Sequence, residues 1–154
     1  MSESKSAQQG IDPRGPRFGA AITNVFSIII FFLSLDVATL TTAFNLLLLV
    51  AALFSIGAIW GTQKHPFAWI FKNLVKPRLK PASELEDPRP PKFAQTVGLL
   101  VSLIGIALHL ANVSAGIAIA AAALFAASTL QAYFGFCLGC QIYIGLKRAG
   151  IIRA

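Results

Sequence analysis

The chain has 154 residues, of which 56% are hydrophobic and only 12% charged, and its mean hydropathy is +0.71. So few charges do not coat a soluble globule of this size, and the composition places the chain in a bilayer. The net charge of +7 would raise nucleic acid as a partner for a soluble protein, but the positions of the charges speak for a membrane and against nucleic acid.

A spanning helix needs about 20 mostly apolar residues, so four spans and their connections nearly use up the chain, with no room for a sizeable soluble domain. Lys5, Arg14 and Arg17 precede the first apolar stretch. Lys64, Lys72, Lys76, Arg78, Lys80, Arg89 and Lys92 lie between the second and third, and Lys147, Arg148 and Arg153 follow the fourth. These groups hold all 13 basic residues, and the two remaining connections hold none. The positive-inside rule therefore predicts a multi-pass protein of the plasma membrane with residues 1–17, 61–92 and 135–154 in the cytoplasm. The expected fold is all-α: a bundle of four transmembrane helices with a short interfacial amphipathic helix between the second and third.

Met1 to Gly10 is polar and rich in small residues, so disorder is expected there. In Ile11-Asp12-Pro13-Arg14-Gly15-Pro16-Arg17-Phe18, two prolines and a glycine stiffen the chain and set two arginines just before the membrane. That segment reads either as an anionic-lipid anchor with a turn or as a contact surface. The first span is expected over 18–35, with Phe26 to Leu33 as its core. Its long polar lead and the lack of a small-x-small site argue for a retained span over a cleaved signal peptide. Asp36 marks the exit, where a wet loop or helix cap is favoured over an intramembrane acid.

Thr39, Thr41 and Thr42 supply turn and N-cap groups before a second span at 43–60, which ends on the interfacial Trp60. From 66 to 76, Phe67, Ile70, Phe71, Leu74 and Val75 recur at helical spacing while Lys72, Asn73 and Lys76 take the other side. This predicts an amphipathic helix started by Pro66 and stopped by Pro77, too short to span, with its lysines among anionic head groups or against a protein partner. Pro77 to Pro91 carries five prolines and reads as an extended polar linker. The third span is expected at 93–111 and the fourth at 115–134, joined by a turn at 112–114. Gly98, Gly105 and the alanine-rich stretch 117–127 favour a tight hairpin of the two. A lone His109 suits a helix-to-helix hydrogen bond, and bis-histidine haem lacks a second histidine at matched depth.

The most specific chemical signal is Gly135-Phe136-Cys137-Leu138-Gly139-Cys140, which holds both cysteines of the chain. A pair at this spacing exchanges a disulfide, carries a persulfide, contributes half a metal site, or simply packs as two buried thiols. The metal reading is the weakest, since only His65 and His109 remain as soft ligands and they fall on opposite sides of the bilayer, so no metal site is assigned. Lys147 and Arg148 would favour thiolate, and lipid burial would oppose it. A stable structural disulfide is disfavoured in a reducing compartment, which leaves a transient bond, a thiol pair or a persulfide. No phosphate loop, Ser/His/Asp set or buried carboxylate pair is present, so hydrolase, kinase and proton-pump readings have no residues to act through.

Two segments together, Ile11-Asp12-Pro13-Arg14-Gly15-Pro16-Arg17-Phe18 and Gly135-Phe136-Cys137-Leu138-Gly139-Cys140, resemble the bacterial membrane family designated domain of unknown function 4395. The likeness covers nearly the whole chain, in length, in four-span layout and in the order of the two motifs, without a clear departure. It implies company rather than chemistry: members are sometimes encoded beside thioredoxin-like or sulfurtransferase proteins.

The leading expectation is a membrane thiol protein in which Cys137 and Cys140 exchange a disulfide or persulfide with such a soluble partner. Arg14, Arg17, Lys72, Lys76, Arg78 and Lys80 would form the basic face that meets the partner or anionic lipid. No cofactor is assigned; a quinone is compatible as electron acceptor, with no residue marking its place. The alternatives are a non-enzymatic scaffold or subunit that recruits a cytoplasmic partner, and a component of small sulfur-anion transport, in which partners or a homo-oligomer complete the path.

Overall fold

A computed structural model of the chain describes residues 10–81 and 84–151. The expected disorder of the first ten residues falls almost wholly on residues 1–9, outside the described residues, as do Lys5, Arg153 and two positions of the proline-rich linker.

The order is α1 (Arg14–Ser34), α2 (Leu40–Trp60), a 3-10 turn (Thr62–Lys64), α3 (Pro66–Ile70), α4 (Arg89–Leu110), α5 (Gly116–Phe134) and α6 (Leu138–Arg148). From α3 the chain stays helical through a π turn (Phe71–Val75) and a 3-10 turn (Lys76–Arg78). Among the described residues there is no strand, only one isolated bridge. Helices α1, α2, α4 and α5 run 19 to 22 residues and are apolar enough to cross a membrane. At about 1.5 Å per residue they match a hydrocarbon core of about 30 Å, and the protein is a multi-pass membrane protein. Their outward side chains are apolar, as at Val25, Phe32, Leu100, Ile104 and Ile119, because lipid is the solvent there.

Helices α1 and α4 each begin four residues earlier than the hydrophobic pattern predicts, at Arg14 and Arg89. The reason is local. The first turn of a helix leaves its N–H groups without intrahelical partners, so Pro16, Pro90 and Pro91 sit there at no loss and the helix extends through them. Asp12 Oδ1 accepts the Arg14 backbone N–H at 3.0 Å, and the Arg14 guanidinium folds back onto the same carboxylate at 2.8 Å. Asp87 and Arg89 repeat both contacts at 2.9 and 2.8 Å. The linker is accordingly extended only in part, since Pro90 and Pro91 belong to α4 and Lys76–Arg78 is a turn.

That likeness extends through the whole chain. Asp12-Pro13-Arg14-Gly15-Pro16-Arg17-Phe18 and Asp87-Pro88-Arg89-Pro90-Pro91-Lys92-Phe93 each open a half of the same plan. A long helix is followed by a tight turn and a second long helix closed by a positive-φ glycine, Gly61 (φ 92) or Gly135 (φ 68). A short helix then follows, capped by the side chain of His65 or Cys137. Each short segment folds back on the first helix of its own half: the Phe71 ring meets Phe18 at 5.8 Å, and the Tyr143 ring meets Phe93 at 5.6 Å. Between the halves, Ile11 and Glu86 exchange backbone hydrogen bonds at 2.8 and 2.9 Å. Such reciprocity between equivalent residues is what a two-fold relation produces. The long helices obey it, with α1 packed most extensively on α5 and α2 on α4.

The core lies among the four long helices, where Ile30, Ala43, Leu47, Ile117 and Ala121 are fully or almost fully enclosed. The expected α4/α5 hairpin is tight because Gly105 faces Ala120 and Gly116 faces Leu108, with no room for a Cβ at either glycine. Gly98 serves a different neighbour, the Phe54 ring of α2. Asp36 caps the turn after α1, its Oδ1 accepting the Ala38 N–H at 2.8 Å while the Thr39 hydroxyl donates to the Leu33 carbonyl. His109 makes a ring contact with Phe44 of α2 at 4.8 Å, where a hydrogen bond was expected.

Candidate functional site

The end of the bundle where α1 and α4 begin, here the proximal end, holds the cysteine pair. Helix α5 stops at Gly135, whose left-handed backbone lets its N–H bond the Gln131 carbonyl while the Phe136 N–H bonds Leu130. The chain then turns extended at Cys137, which becomes the N-cap of α6. Sequence reasoning treated 135–154 as a motif and tail, and missed this helix. Two glycines lower its intrinsic propensity, and its apolar side shows only once Tyr143 is seen buried against Phe93.

Cys137 and Cys140 are disulfide-bonded, with their Cα atoms 5.1 Å apart. The Cys140 backbone N–H also points at Cys137 Sγ at 3.1 Å, so the cap interaction and the disulfide use the same sulfur. In the reduced pair this position favours a thiolate on Cys137, because free N–H groups and the positive end of the macrodipole converge on it. Lys147 and Arg148 do not serve that role. They occupy the last turn of α6, roughly 15 Å along the axis from Cys137, where they complement the negative end of the helix instead. Gly139, inside the motif, packs directly on the Ala94 backbone and holds α6 against α4.

Cys137 lines a cavity of about 730 Å³ between the two halves. It is lined at the proximal end by Asp12, Lys72 and Lys76, and among the long helices by apolar residues such as Phe54, Val101 and Leu124. Two buried polar atoms in residues lining it have no hydrogen-bond partner, Thr62 Oγ1 and Gln95 Oε1. His65 also lines it, buried, with Nδ1 accepting the Phe67 N–H at 3.2 Å. Burial pushes its pKa down, so the imidazole is held neutral. The hydrogen bond from Arg14 holds the Asp12 carboxyl below its ordinary range, keeping a fixed negative charge between Arg14 and Lys76.

The structure gathers most of the sequence-predicted basic residues here, in distinct roles. Arg14 pairs with Asp12 and donates to the Lys80 carbonyl at 2.9 Å. Arg17 reaches the Ala132 carbonyl at the C-terminal end of α5, and its guanidinium lies beside Gly135. Lys72 and Lys76 edge the cavity, while Arg78 and Lys80 stay exposed. Cys140 is not among the cavity-lining residues. Sequence reasoning missed Asn24, which is 7% exposed inside α1 and donates from Nδ2 to Thr129 Oγ1 at 2.6 Å and Ser128 Oγ at 3.2 Å. A single amide within an apolar span was the available signal. Among the described residues no three His, Cys, Asp or Glu side chains gather as a metal site would need.

The model of the family described as Domain of unknown function (DUF4395) matches residues 11–148. The chain belongs to this family. The DUF4395 region starts at the bridged Ile11 and ends at Arg148, the last residue of α6, so it encloses both halves, the cavity and the cysteine pair. No curated protein and no solved structure matches the chain.

Proposed function

We propose that this DUF4395 protein is a thiol–disulfide exchange protein of the cell membrane, with both termini and the proximal end of the bundle in the cytoplasm. The observation that carries the reading is the bonded Cys137–Cys140 pair at the start of α6, half-buried at the edge of a cavity. In the reduced pair, Cys137 thiolate attacks one sulfur of a partner's disulfide, the partner's other sulfur leaves as thiolate, and a mixed disulfide forms. Cys140 thiolate then attacks Cys137 sulfur, closing the intramolecular bond and releasing the partner as a dithiol. Run backwards, the same steps oxidise the partner. A sulfane sulfur taken from a sulfurtransferase would ride on Cys137 as a persulfide by the same attack.

The distribution of basic residues supports the sidedness, and it gives the helical segment 66–76 a place along the inner leaflet with Lys72 and Lys76 toward head groups or partner. Arg78 and Lys80, both exposed, suit an acidic surface on a soluble partner.

Cys140→Ser leaves Cys137 without its resolving thiol, so the variant is expected to accumulate a reductant-sensitive adduct with its partner in cells, and Cys137→Ser is not. A charged, membrane-impermeant maleimide should label reduced Cys137 in inverted vesicles and spare it in intact cells. If the double Cys→Ser variant supports full function and no adduct forms, the scaffold reading replaces this one.

A further inference from the structure

We infer that the cavity between the two halves binds a quinone, the lipid-soluble two-electron acceptor that reoxidises the Cys137/Cys140 dithiol; this rests on the exchange reading above. Oxidising a dithiol needs a partner for two electrons, and a soluble protein is one source while the bilayer is another. The lining of the cavity runs from Asp12 and Lys76 at the proximal end along Thr23, Phe54 and Val101 into the apolar part of the spans. A volume of about 730 Å³ falls within the range that holds a small organic ligand. Apolar walls select against dinucleotide carriers, whose phosphates and riboses would lose their water there.

The polar groups inside select further. Burying a hydroxyl or amide oxygen without a partner is costly, so each such atom marks a missing contact. Thr62, 92% buried, has a hydroxyl with no partner; the Gln95 amide oxygen also has none, but it lies against the Gly57 position of α2. A threonine hydroxyl both donates and accepts. A quinone carbonyl accepts and a quinol hydroxyl donates, so the Thr62 hydroxyl serves both redox states of one ring. Cys137 lies on the wall of this chamber and His65, its counterpart in the first half, caps the other short helix. The two halves thus share one chamber, and only the second lines it with sulfur.

The step balances without another reactant. Cys137 thiolate adds to the quinone ring, Cys140 thiolate attacks Cys137 sulfur, and the carbon–sulfur bond breaks with its electron pair passing to the ring. The two protons lost by the thiols complete the quinol: two thiols and one quinone become one disulfide and one quinol.

The test uses the full chain in lipid nanodiscs with decylubiquinone as probe. The Cys137→Ser/Cys140→Ser protein is expected to bind it saturably, and Thr62→Val to weaken that binding about fivefold to tenfold, the loss of one hydrogen bond. Thr62→Ser, which keeps the hydroxyl, should bind as the parent does and so separates the lost hydrogen bond from a folding defect. The reduced wild-type chain should yield one quinol per disulfide formed. Absence of saturable binding, while exchange with reduced thioredoxin persists, overturns the quinone site and leaves the exchange reading standing. Binding without quinol formation overturns the electron transfer, and loss of both quinol formation and thioredoxin exchange overturns the exchange reading itself.

Discussion

Replacing Gly139 by alanine probes the contact that positions the cysteine pair. A Cβ built at Gly139 falls 2.5 Å from both Cα and Cβ of Ala94. Carbon atoms in contact sit about 3.5–4.0 Å apart, so α6 must retreat from α4 by about 1 Å, and one of the atoms in its way is backbone that has no rotamer to escape into. Overpacking of this kind costs about 1–3 kcal/mol, and the better helix propensity of alanine returns at most about 1 kcal/mol. The net expectation is a loss of about 1 kcal/mol. Gly145, in the same helix, has nothing within 4 Å of its would-be Cβ, so Gly145→Ala should gain about 0.5–1 kcal/mol from propensity alone. Unfolding of both variants by SDS titration in mixed micelles reads the difference. A second readout is alkylation of Cys137 in the reduced protein, which should quicken in Gly139→Ala as the start of α6 lifts from its support. A Gly139→Ala protein as stable as Gly145→Ala would refute the close approach of α6 to α4.

Asn24→Leu removes the amide that joins α1 to Ser128 and Thr129 of α5. Both hydroxyls keep their bonds to the Phe125 carbonyl, so the loss should be about 0.6–2 kcal/mol in the same titration, and an unchanged midpoint would deny the cluster a stabilising role. His65 has a folded pKa below its ordinary value, so its neutral form is the one the fold favours. Stability from this group is therefore complete above about pH 6.5, the unfolded value, and declines as pH falls below it. His65→Asn keeps a capping side chain and removes the titration, and its melting temperature should fall less than that of the wild type between about pH 7 and about pH 5.

The spans were legible because lipid leaves no ambiguity: four long apolar runs, with every Lys and Arg outside the two short connections, define the helices without any knowledge of their partners. The CxxC was equally plain. What the pattern could not supply was where one helix stops and another starts inside a continuous apolar stretch. Residues 135–154 read as a motif and tail, and only the left-handed Gly135 and the cap at Cys137 set α6 apart as a helix of its own beyond α5. Arg14 and Arg89 were taken as flanking charges, because two prolines nearby look like breakers until they are placed in a first turn. The repeat was written in the two Asp-Pro-Arg motifs, yet the spans differ so much in sequence that only the shared plan makes the match evident. Thr62 and Gln95 offered no signal of their own, since an unpaired atom is a property of the packed chain.

The way the halves cross has a consequence for biogenesis. Because α1 and α2 each find their largest contact surface in the other half, the first half emerging from the ribosome inserts with its inner faces still against lipid. Asn24 would sit there without Ser128 and Thr129, an amide in hydrocarbon waiting for a helix not yet made. The first hairpin is therefore expected to complete its packing only once the second is made. Chains truncated before α5 should be ready substrates for membrane quality control.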